Sequence, residues 1–128
     1  MAQVVVYGHA AALAPRIRAL SEAIHAAAVD AFQLPPAKRF HRFVPLEPGW
    51  LLAPQDRTED YTIIEVSMFE GRSVDAKKAF IRKVYEQTTP LGLAVEDVEI
   101  TITETPRENW GIRGRPGDEL DLPYRVDV

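Results

Sequence analysis

The sequence predicts an α+β fold in which duplicated β-α-β units form a four-stranded sheet with two helices on one face. Three observations predict it. A strand-helix-strand pattern occurs twice, offset by about 60 residues, which marks an internal repeat. Each helical stretch carries one apolar stripe at spacings of three and four. The flanking stretches are β-branched or alternate between apolar and polar, as half-buried strands require. Right-handed crossovers in both units put the two helices on the same side of one sheet.

Met1 to Tyr7 contains the run Val4-Val5-Val6 and is closed by Gly8, which predicts the first strand. Pro15 suits the first turn of a helix, where its missing N–H leaves no bond unmade. Leu13, Ile17, Leu20, Ile24, Ala28 and Phe32 then form one stripe, and the alanines of 23–31 favour helix and close packing. Pro35-Pro36 ends it, and a second strand follows around Arg39 to Val44. Pro45 to Asp60 sets Pro48, Gly49 and Pro54 around Trp50-Leu51-Leu52, too apolar for disorder. It is either a site-bearing loop or a structural plug.

Tyr61 to Phe69 alternates Thr62, Ile64, Val66 and Met68 against Tyr61, Ile63, Glu65 and Ser67, a strand with apolar residues on both faces. Gly71 turns the chain. Ser73 is the N-cap of the second helix, and Asp75 favours its first turn. Phe80, Ile81, Val84 and Tyr85 form the stripe, with Lys77, Lys78 and Arg82 outside, and Pro90 and Gly92 stop the helix. Val98, Ile100 and Ile102 alternate with Glu99, Thr101 and Thr103 in the last strand. The division is one domain, with units at about 1–45 and 61–105, a loop at 46–60 and a tail at 106–128. Helices on one face leave the other bare, so self-association is expected. The tail, alternating Leu122, Tyr124, Val126 and Val128, pairs with a neighbour's sheet edge or closes the protomer's own sheet.

A 46% hydrophobic composition supports a packed core, and no run is long enough to span a membrane. The start lacks the pattern of a signal peptide, so a cytoplasmic protein is expected. Zero Cys excludes disulfides, thiolate metal sites and thiol nucleophiles. No metal site and no cofactor motif stands out. A net charge of −4 argues against nucleic acid. The basic residues are nevertheless clustered, at Arg39 and Arg42, at Lys77 to Lys83 and at Arg107, Arg113 and Arg115. Local positive sites in an acidic protein suit a small anionic ligand better than a polyanion.

The first strand, the duplicated β-α-β pattern and the segment Asp56-Arg57-Thr58-Glu59-Asp60-Tyr61 through Phe69-Glu70-Gly71-Arg72-Ser73 resemble the tautomerase superfamily. The stretch Asp97 to Ile100, the run Glu108-Asn109-Trp110-Gly111-Ile112-Arg113-Gly114 and the ending Asp118 to Leu122 resemble its branch that includes malonate semialdehyde decarboxylase. The resemblance covers nearly the whole chain. It implies a homotrimer with active sites at protomer interfaces, where an N-terminal proline acts as base or acid and arginines bind the carboxylate of a small oxo- or halo-acid. By the same resemblance Ala2 stands in the proline's place, Arg72 matches an active-site arginine, and Trp110 matches an aromatic pocket wall. Lys38 falls where the decarboxylase has an aspartate, and Glu70 where it has a second arginine. Two charges are thus reversed.

Candidate catalytic residues are therefore Ala2 and His41, and candidate substrate-binding residues are Arg72, Arg39, Trp110 and Arg113. With Met1 removed, Ala2 exposes a primary amine, whose ordinary pKa of about 7.7–8.0 allows weak base or Schiff-base chemistry without the proline ring. His41, two residues past Arg39 on one strand face, is a proton carrier near neutral pH. His25, inside the alanine-rich helix, reads as packed or surface and not as catalytic. Tyr61 and Tyr124 are further candidate acids. Three functions stay open: weak, altered or absent keto-enol tautomerase activity on small 2-oxo acids, a decarboxylase or hydratase of small oxo- or halo-acids using Ala2 or His41, and a non-catalytic carboxylate-binding protein.

Overall fold

A computed structural model describes residues 2–128. β1 is Ala2–His9, and its valines alternate between buried and half-buried. A short turn of helix, α1 (Ala10–Leu13), and a 3-10 turn at Ala14–Arg16 carry Pro15 into α2 (Ile17–Phe32). Gln33, in the left-handed region at φ 54°, ends α2. β2 is His41–Leu46 and begins two residues after the predicted start, because a turn closed by Lys38 N–H on the Pro35 carbonyl (2.9 Å) follows the prolines. β3 is Thr62–Phe69, and α3 is Val74–Thr88 with Ser73 as its N-cap, whose hydroxyl accepts from the Ala76 N–H at 3.0 Å. A 3-10 turn ending on Gly92 at φ 87° leads to β4 (Val98–Thr105).

The sheet order is β2-β1-β3-β4. β1 and β2 are parallel, β3 and β4 are parallel, and β1 meets β3 antiparallel, so the two units lie back to back. Pairing of Val4 with His41 and Val66, and of Ile64 with Ile100, sets the residues that face the helices. Val4, Val6, Ile64, Val66 and Met68 pack there against Leu20, Ile24, Phe32, Phe80 and Val84. Phe32 and Phe80, one from each helix, stack at 4.9 Å between ring centres. The opposite face carries Val5, Tyr7, Val44 and Ile63, half-buried among the exposed Arg42, Glu65 and Ser67, and no helix covers it. No helix among the described residues is long and apolar enough to cross a membrane.

Two segments differ from expectation. The loop between the units is pinned at its base. Arg57 pairs with Glu99 (2.9 Å), Thr58 N–H and Oγ1–H donate to Asp97 (2.8 and 2.5 Å), Asp60 pairs with Arg16 (2.7 Å), and the Tyr61 hydroxyl donates to Glu99 (2.8 Å). Its tip points outward, with Trp50 72% and Leu52 86% exposed, so it plugs nothing in its own protomer. Residues 120–128 of the tail form no strand. The tail turns its alternate residues Leu122, Tyr124, Val126 and Val128 onto its own chain, and the Val128 carbonyl accepts from Ser73 N–H at 2.8 Å. Gly71, at φ 127°, makes room for it: a Cβ there would lie 3.2 Å from Val126 Cγ1. A short hairpin, β5 (Gly111–Ile112) and β6 (Arg115–Pro116), occupies the stretch that carries Arg113 and Arg115 of the third basic cluster. Arg113 and Gly114 form its turn at φ 53° and 82°, the left-handed pair that matches the twist of a hairpin.

Phe80 is 1% exposed at the junction of both helices and the sheet, so Phe80→Ala should cost about 3–5 kcal/mol in urea unfolding. Ser73→Ala, which removes one capping bond at the surface, should cost only about 1 kcal/mol.

Candidate functional site

Arg72 lies between the Gly71 turn and the start of α3, and its side chain folds inward instead of reaching solvent. The residue is 4% exposed. Nη1 donates to the Phe69 carbonyl at 3.3 Å, and the guanidinium lies 5.4 Å from the centre of the Phe32 ring. Nε and Nη2 are buried with no hydrogen-bond partner among the described residues. Burial lowers the pKa of Arg72, while the neighbouring Tyr124 hydroxyl and then the Glu104 carboxylate act against that shift. Glu104 is itself taken by Lys77 Nζ at 2.6 Å. A desolvated guanidinium is costly unless acceptors answer its N–H groups, and the Tyr124 hydroxyl is one such neighbour.

A cavity of about 270 Å³ is walled by Lys38, Ile112, Arg113, Leu120, Leu122 and Tyr124, and Arg72 is not among its lining residues. Lys38 comes from the turn after the double proline, Arg113 from the hairpin turn and Tyr124 from the tail. Asp121 lines the same cavity and carries the one acidic side chain of its wall. Tyr124 therefore belongs both to this cavity and to the surroundings of Arg72. Desolvation raises the pKa of its phenol, against the lowering effect of Arg72 and Arg107, so the hydroxyl keeps its proton at neutral pH.

Trp110 and Arg107 brace these walls. Trp110 meets Phe69 edge to face at 5.1 Å, and its Nε1–H donates to Thr105 Oγ1 at 2.6 Å. Arg107 covers Phe69 at 5.5 Å and donates to the Gly117 and Leu120 carbonyls at 2.9 and 2.8 Å, which ties the tail to β4. Gly117 approaches so closely that a Cβ would meet the Arg107 carbonyl at 2.5 Å. Ala2 is 8% exposed and pairs with Met68, while Val4 N–H donates to the Phe40 carbonyl. By register, Ala2 stands at the sheet end between the segment entering β2 after Lys38 and the segment leaving β3 before Arg72. Met1 lies outside the described residues.

Arg39 and His41 turn their side chains onto the flank of α2. Arg39 pairs with Glu22 at 2.8 Å. His41 Nδ1 is 2.8 Å from Ser21 Oγ, and its ring meets His25 edge to face at 6.1 Å. The His25 Nε2–H donates to the Pro36 carbonyl at 2.8 Å, the packed one of the two roles open to it. Burial first, then His25 and Arg39, push the pKa of His41 down to about 4. Both line an open depression of about 490 Å³ with Ile17, Arg18 and Phe43. The candidates thus separate by side chain: Ala2, Arg72 and Arg113, with Trp110 behind them, belong to the sheet end, whereas Arg39 and His41 turn their side chains onto α2. Sequence reasoning did not place Lys38 and Tyr124 among the ligand-binding candidates. Tyr124 was named there as a candidate acid and as one residue of the alternating tail.

Residues 38–113 match the tautomerase enzyme family. A 2-hydroxymuconate tautomerase of Pseudomonas putida is 40% identical over 57 residues, which are 44% of this chain and 90% of that protein. That relative is about half the length of this chain. Among solved structures, a malonate semialdehyde decarboxylase inhibited by 3-bromopropiolate superposes with a TM-score of 0.82 at 25% identity, over 94% of this chain and 99% of that one. A fused 4-OT asymmetric trimer superposes at 0.79 and 21% identity, over 91% and 96%.

The depressed pKa of His41 has a measurable sign. Between its unfolded value of about 6.5 and its folded value of about 4, the unfolded chain takes the proton more readily, so folding stability falls as pH drops through that window. His41→Asn should lose this part of the acid sensitivity, read as a smaller drop in the urea midpoint between about pH 7 and pH 4.5 than in the wild type.

Proposed function

Because this chain belongs to the tautomerase enzyme family, we propose that it is a homotrimeric protein that binds the carboxylate of a small 2-oxo acid at the sheet end. Its keto-enol tautomerase activity is impaired by alanine in the proline's place. The observation that carries this reading is Arg72, a guanidinium 4% exposed with Nε and Nη2 unanswered among the described residues. A buried guanidinium whose neighbour Tyr124 lines a cavity with Lys38 and Arg113 in its wall favours an anion there. Self-association is supported by the uncovered sheet face and by the trimeric state named for the fused 4-OT relative.

The impairment follows from what a ring does for an amine. A primary amine on Ala2 has rotational freedom that a proline nitrogen lacks, so fewer encounters have the reacting geometry. The decarboxylase or hydratase alternative has weaker support, since His41 lies away from Arg113 and Tyr124 and burial keeps it neutral. No histidine is among the residues that line the cavity, which favours a non-catalytic carboxylate-binding protein as the second reading.

Two experiments test this. Arg72→Ala should weaken binding of a small 2-oxo acid by about 2 kcal/mol or more by calorimetry, and unchanged affinity would remove Arg72 from the site. Ala2→Pro, with removal of Met1 verified by intact mass, should raise turnover of phenylenolpyruvate or 2-hydroxymuconate. No gain in that variant leaves the binding protein as the standing alternative.

A further inference from the structure

We infer that residues 120–128 form a strap that closes the carboxylate site, and that a ligand reaches Arg72 only when the strap lifts. The inference rests on the carboxylate-site reading above and adds to it a control on access.

Two contacts place the strap across the turn that carries Arg72. A Cβ on Gly71 would lie 3.2 Å from Val126 Cγ1, and Ser73 N–H donates to the Val128 carbonyl at 2.8 Å. Arg72 stands between these two residues, 4% exposed, with its guanidinium 5.4 Å from the centre of the Phe32 ring. A carboxylate has to come within about 2.7–2.9 Å of guanidinium nitrogens to bond them. A group so enclosed is not met from solvent.

The strap is also a partition. Leu120, Asp121, Leu122 and Tyr124 line the cavity that holds Lys38 and Arg113, and the same four line an open depression of about 530 Å³ bounded by Glu70, Gly71 and Arg107. Arg72 lines neither. Lifting the strap joins the two spaces and uncovers the turn at Gly71.

The segment is suited to lifting. Its ends are tied, the Leu120 carbonyl by Arg107 at 2.8 Å and the Val128 carbonyl by Ser73. Between them it belongs to no helix or strand, and Leu122, Tyr124 and Val126 are only half-buried. A segment outside any ladder opens at lower cost than the core. Closure also keeps a cation out of water, and an open strap relieves that cost. Apparent affinity is then the intrinsic affinity reduced by the fraction of molecules whose strap is open.

The chain has no Cys, so a disulfide between Ser73→Cys and Val128→Cys, set side by side by their backbone bond, can lock the strap reversibly. Calorimetry with pyruvate on the full chain reads the result. The oxidised pair should bind about tenfold or more weakly than the same protein reduced with dithiothreitol, which should match the wild type within about twofold. Val126→Ala thins the contact over Gly71 and lies outside the cavity wall, so it should bind pyruvate about threefold or more tightly than the wild type. Equal affinity of the oxidised and reduced forms, or a Val126→Ala variant that binds no tighter than the wild type, would each overturn the strap and leave the carboxylate site standing. Pyruvate bound by neither the wild type nor Val126→Ala would overturn the carboxylate site itself, and the strap with it.

Discussion

The antiparallel seam between β1 and β3 is the constraint on which the rest of the molecule depends. Each β-α-β unit alone has one parallel pair and a helix with an apolar stripe, too little to bury. The seam joins the two, doubles the sheet and brings the helices into contact, so that Phe32 of one can stack on Phe80 of the other. Its register also decides the chemistry. Pairing Ala2 with Met68 sets the start of the first strand beside the end of the third, and Arg72 follows three residues after Phe69. A slip of one residue would turn Val4 and Val66 out of the core.

The sheet end is assembled from parts that are distant in sequence. The double proline, the hairpin turn and the tail each bring one polar group to a cavity whose walls are otherwise apolar. None of these segments is regular enough to hold its own place. Arg107 and Trp110 supply that order, Arg107 by bonding the carbonyls of Gly117 and Leu120 and Trp110 by bracing Phe69. The protein therefore spends one arginine on scaffolding and buries another, Arg72, without an ion pair among the described residues.

Much of the fold was legible because periodicity is a property of short stretches. The valines of β1, the stripe from Leu20 to Phe32, and Ser73 ahead of α3 each announce an element through spacing or capping chemistry alone. The site was only half legible. Arg72 could be named from the resemblance, but its burial depends on the tail folding back over Gly71, a long-range contact that no local pattern encodes. His41 and Arg39 share a strand face with each other, as read, yet that face looks onto α2 instead of the sheet end. Lys38, one residue earlier, lies in the turn that precedes the strand and points to the cavity. Alternation predicts which neighbours share a side, and it is silent on what occupies that side.

The turn that presents Arg113 carries a lasting consequence. A side chain with a Cβ is held there at φ 53°, a conformation that disfavours every residue except glycine by about 1–2 kcal/mol. Glycine would relieve the torsion and would also erase a cation from the cavity wall. Thermal robustness and ligand affinity therefore pull position 113 in opposite directions, and drift toward the easier backbone would leave a sturdier protein with an emptier purpose.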